Sequence, residues 1–116
     1  MRILTNYTSE KKDLVKANNS VDTVKDILNT PFKCVGIIIF EKDGVDEESG
    51  EADVKTVVAL KTEDGHFYTS ISPTVKSSVD AIVEAYDKEE VESGLDIVVK
   101  SKLSKSERDF YYVDLV

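Results

Sequence analysis

The chain has 116 residues, 41% of them hydrophobic and 33% charged, with a formal charge of −8, which fits a single domain with one core and a solvated exterior. Its longest uninterrupted apolar stretch, residues 35–40, is far short of the roughly 20 residues of a membrane span, and its first residues lack the apolar region and cleavage site of a secretory signal. One cysteine, Cys34, excludes an intrachain disulfide and fits a reducing, cytoplasmic compartment.

Residues 1–31 read as a polar extension. Thr8 or Ser9 caps a short helix through Lys16, and Ser20 caps a second in which Val21, Val24, Ile27 and Leu28 recur at helical spacing. Pro31 closes that segment by pushing Thr30 out of the helical region. From residue 32 the pattern turns to β. Residues 32–41 are mostly β-branched or aromatic, with Gly36 marking a bulge or bend. After a loop at 42–52, a second strand covers 53–61 and is apolar on both faces. Asp64-Gly65 predicts a tight hairpin turn, so residues 66–72 return antiparallel. Ser72-Pro73 supplies a cap and a first helical residue, opening a helix over 73–86 with Val75, Val79, Ile82, Val83 and Tyr86 on one stripe. A fourth strand over 95–103 alternates apolar and polar residues. The polar loop 104–108 then leads to a fifth strand over 109–116.

Three strands, a helix and two strands in that order resemble an OB-fold, a Greek-key barrel that binds oligonucleotides. The expected fold is therefore mainly β with helices. A five-stranded barrel closes over residues 32–116, one helix lies between its third and fourth strands, and residues 1–31 form a short helical extension.

A narrower resemblance rests on Leu60-Lys61-Thr62-Glu63-Asp64-Gly65, on Tyr68-Thr69-Ser70 leading into Ser72-Pro73-Thr74, and on Ser104-Lys105-Ser106-Glu107-Arg108-Asp109-Phe110 running into Asp114-Leu115-Val116. These pieces, and the stretch 62–116 as a whole, are similar to small phage-encoded single-stranded DNA-binding proteins of low-GC Gram-positive hosts. The resemblance implies single-stranded DNA as partner, a stoichiometric role beside replication or recombination proteins, and the host cytoplasm as location.

An OB-fold places its binding groove across the second and third strands and between the first–second and fourth–fifth loops. Single-strand binders line such grooves with cations for phosphates and aromatic faces for bases. The residues that fit are Lys55 and Lys61 on the second strand and Tyr68 on the third. Lys100, Lys102, Lys105 and Arg108 follow near the last loop, with Phe110 and Tyr112 on the last strand. The competing reading has Phe67, Tyr111 and one of Phe110 or Tyr112 filling the core while the lysines solvate strand edges.

The negative charge is concentrated. Residues 43–53 and 87–96 together hold eleven carboxylates and one lysine, leaving the remaining chain at +2. The first run is a solvated loop or a flap competing with DNA for the basic groove, and its spacing does not match a calcium loop. Eleven clustered carboxylates also suit an alternative function, a DNA mimic that occupies the site of a host DNA-binding protein. Cys34 and His66 read as a buried small hydrophobe and a surface turn neighbour rather than a nucleophile and base. With no phosphate loop, zinc spacing or serine elbow, the chain is expected to be a non-enzyme without metal or cofactor. Exposed strand edges on a small barrel offer a homodimer contact.

Overall fold

The computed structural model describes residues 1–45, 48–103 and 109–116. Its elements in chain order are β1 (Arg2–Tyr7), α1 (Lys11–Asn19), a 3-10 turn (Val24–Ile27), β2 (Phe32–Val45), β3 (Ala52–Thr62), β4 (Phe67–Ser70), α2 (Pro73–Ala85), α3 (Lys88–Ser93), β5 (Leu95–Leu103) and β6 (Asp109–Leu115). They build one antiparallel, six-stranded sheet in the order β4-β3-β2-β5-β6, with β1 added to β2. β5 returns to lie beside β2, the first strand of the β2-β3-β4 meander, which is Greek-key order.

Two parts of the expected architecture need correction. The sheet has six strands, not five, and it does not close: no ladder joins β4 to β6 among the described residues. The extra strand lies in the extension expected to be helical. Arg2–Tyr7 carries no clean apolar–polar alternation, and its register on β2 shifts between Ile3 and Thr5. Long-range pairing gives that strand its place. β5 covers β2 only at residues 32–34, so the rest of that edge is free to pair with β1 from Ile37 to Glu41.

The seam stays open because other groups satisfy both of its edges. On β4, the Thr69 amide donates to the carbonyl of Asp22 at 3.0 Å, and the Ser20 hydroxyl donates to the carbonyl of Phe67 at 2.7 Å. On β6, the Thr74 hydroxyl donates to the Tyr111 carbonyl at 2.7 Å, and the Val113 amide donates to Ser78 Oγ at 2.9 Å. The N-terminal segment thus edges one side of the gap and α2 edges the other.

Both faces of β2 are buried, which explains why β2 and β3 are apolar on both sides. Ile37, Ile39, Val58 and Leu60 join Val75, Val79, Val91, Val99 and Val113 in the larger core, under α2, α3 and the 3-10 turn. Ile38, Phe40, Val57, Ala59 and Phe67 form a second core with Ala17 of α1. At Gly36 the β2–β3 register slips, as a bulge requires. A Cβ there would stand 2.8 Å from Thr8 Cγ2.

Local signals account for most boundaries. Gly65 takes φ 86° in the turn between β3 and β4, where the Thr62 amide donates to the His66 carbonyl at 2.9 Å. Ser72 and Pro73 open α2 as expected, although the serine hydroxyl bonds Thr74 Oγ1 at 2.8 Å instead of capping the backbone. α3 went unexpected despite a visible capping box. The Glu90 amide donates to Asp87 Oδ1 at 2.8 Å, and the Asp87 amide to Glu90 Oε1 at 3.3 Å. Of the supposed loop at 42–52, residues 42–45 and 52 belong to the distal end of the β2–β3 ribbon.

Cys34 is fully buried, and its thiol donates to the Gly36 carbonyl at 3.2 Å. Burial pushes the thiol up to about 11 from 9.0. Ionisation is therefore easier in the unfolded chain, so this group's contribution to stability is complete below pH 9 and is lost as pH rises towards 11. Cys34→Ala should flatten the decline in urea midpoint between those values. The wild-type thiol should react with an aromatic disulfide reagent only on unfolding.

Candidate nucleic-acid interface

The β5–β6 hairpin brings four of the expected residues onto one surface. Ile97, Val99 and Val113 face the larger core, so strand alternation turns Lys100, Lys102, Phe110 and Tyr112 to the opposite face. Register then sets Lys100 directly across from Tyr112 and Lys102 directly across from Phe110. The two half-buried rings lie 6.3 Å apart between centroids, inclined at 42°, and neither belongs to a core cluster. The result is a ladder of two cations beside two aromatic rings. It can hold phosphates and stack bases at neighbouring positions.

The cations differ in charge balance. Lys100 Nζ donates to Asp114 Oδ2 at 3.0 Å. That bond holds the lysine above its usual range and the Asp114 carboxyl below its own. Lys102 is exposed and has no acidic partner among the described residues. Lys105 and Arg108 lie outside the described residues.

The remaining expected residues are not brought to this ladder. Lys55 sits on the β2–β3 ribbon directly opposite Lys42, and neither has an acidic partner among the described residues. The Lys55 stem lies along Gly44, where a Cβ would stand 3.1 Å from Lys55 Cε. Lys61 is held from inside. Its Nζ lies 3.1 Å from each carboxylate oxygen of Asp13, which is 1% exposed.

Tyr68 faces away from Lys61. It pairs with Leu60 and packs on the larger core, its ring 6.4 Å from Phe32 and 4.7 Å from His66. Its ring is half-buried, with one side on the core. His66 Nε2 in turn meets Asp22 Oδ2 at 2.6 Å.

Pattern reading missed one feature beside the ladder. Lys25 of the 3-10 turn holds its Nζ 5.5 Å above the centre of the Tyr111 ring, a cation–π contact. The two residues are 86 positions apart, and no local signal announces their meeting.

A family model described as phage single-stranded DNA-binding protein, of phi29 type, matches residues 16–116. The chain belongs to that family. The match begins within α1, taking in its last four residues, covers every later element and leaves β1 outside. Comparison with curated proteins finds no match, and comparison with solved structures finds none. In this phage single-stranded DNA-binding protein, the ladder on β5 and β6 has the residue chemistry that such binding uses. No helix among the described residues is long and apolar enough to cross a membrane.

Proposed function

We propose that the chain coats single-stranded DNA stoichiometrically, with little reading of sequence, during phage replication or recombination in the host cytoplasm. The observation that carries this reading is the register of the β5–β6 hairpin, which sets Lys100 beside Tyr112 and Lys102 beside Phe110. Cations hold the backbone, and the rings accept bases through their π faces, which every base possesses. Lys105 and Arg108 follow in sequence between β5 and β6 and add positive charge, and Lys42 with Lys55 offers a second phosphate contact on the β2–β3 ribbon. Lys61 takes no part, because its head is committed to Asp13.

The overall charge of −8 does not oppose binding at the β5–β6 ladder, since much of the negative charge lies away from it. Asp43 and Asp53 are on the β2–β3 ribbon, and Asp87, Glu89, Glu90 and Glu92 are at α3. Titration of a labelled oligo-dT followed by fluorescence anisotropy tests the proposal. Tight binding at low salt should weaken with a log–log slope of about −0.7 per neutralised phosphate, and duplex of equal length should compete poorly. Absence of binding at low salt would remove the reading.

A further inference from the structure

The open seam is also a cavity. A space of about 550 Å³ lies between the β4–α2 junction, the 3-10 turn and the start of β6, within the roughly 300–1,000 Å³ of small-molecule sites. Its walls include Val24, Ile71, Phe110 and the Tyr111 ring, with Lys25 at that ring. Ile71 is 59% exposed, and together with Pro73 it also borders a smaller hollow of about 220 Å³ reaching Thr56 and Lys76.

Polar groups at the rim are largely committed to one another. Thr69 Oγ1 donates to the Asp22 carbonyl at 3.1 Å, Ser70 Oγ accepts from the Ser72 amide at 3.0 Å, and Thr74 Oγ1 donates to the Tyr111 carbonyl at 2.7 Å. Few donors or acceptors remain to read the edge of a base. A ligand would be recognised by flatness, by its π face and by an adjacent negative charge. Lys25 has no acidic partner among the described residues and is available for that charge. Phe110 borders the cavity and also belongs to the cation–aromatic ladder on the other face of β6, so the two surfaces meet at that edge strand.

We infer that this seam takes one unstacked nucleobase of the bound strand, against Tyr111, with Lys25 on the neighbouring phosphate. The inference rests on the single-stranded DNA reading and adds to it a defined base position off the ladder. The site accepts any base, because its rim is already hydrogen-bonded.

Cross-linking tests it. Oligo-dT carrying 4-thiothymidine is irradiated on the full-length protein, and the adducts are located by mass spectrometry. Adducts at Tyr111, Lys25 or Ile71 are expected beside those at Phe110 and Tyr112. Lys25→Gln should weaken dT binding several-fold, lower the salt slope by about 0.7 and lose the seam adducts while keeping those on the ladder. Adducts confined to Phe110 and Tyr112, with Lys25→Gln binding like wild type, would overturn the seam site and leave the DNA reading standing. Failure of wild type to bind dT at all would remove both.

Discussion

Lys61→Met is expected to lower stability by about 3–5 kcal/mol, the usual cost of breaking a buried ion pair by removing one partner. At roughly 4 °C per kcal/mol for a domain of this size, that is a fall in Tm of about 12–20 °C. The asymmetry of the pair sets the expectation. Asp13 is 1% exposed and its carboxylate has both oxygens on the lysine, whereas the Lys61 side chain keeps 19% exposure. Removing the lysine strands a charge that has no route to water. Removing the acid leaves an ammonium that can swing outwards on its flexible stem, so Asp13→Ala should cost less than Lys61→Met. The double change Asp13→Leu with Lys61→Met should recover most of the loss, because no orphan charge remains.

Urea melts of the single and double variants check the order of these losses. At a temperature where Lys61→Met is folded, its affinity for oligo-dT should match wild type. A clear loss of affinity there would return Lys61 to the DNA contact.

Phe110→Ala with Tyr112→Ala is expected to produce the largest loss of binding. Each stacked base contributes roughly 1–3 kcal/mol by alanine substitution, so even the lower figure for each ring gives about a thirtyfold loss for the pair. The thermal transition should move little by comparison, since neither ring belongs to a core cluster. Tyr68→Ala supplies the contrast. Its ring packs on the larger core, so its truncation should lower Tm and leave binding by the folded fraction nearly intact. Anisotropy and a melt on the same preparations separate the cases. Unchanged affinity in the double variant would refute the ladder as the binding surface.

The elements that could be read in advance are those whose cause lies within a few residues. The Asp64-Gly65 turn, the Ser72-Pro73 helix start and the β5 alternation are of this kind. α3 belonged with them, because Asp87 and Glu90 form a capping box in plain view. β1 was not legible: its residues show no clean alternation, and the strand exists because a free edge on β2 receives it.

Local pattern alone settled the succession of strands from β2 to β6 along the chain, the first helix between β4 and β5, and the apolar character of both faces of β3. Periodicity and turn chemistry act over short distances, so one chain carries them openly. Tertiary structure decided that the sheet stays open, that Asp13 reaches Lys61 and that Lys25 lies over Tyr111. Those outcomes depend on which edges and side chains meet after the chain has folded back on itself. Residues 48 and 86 positions apart carry no mark of their partners until they are in contact.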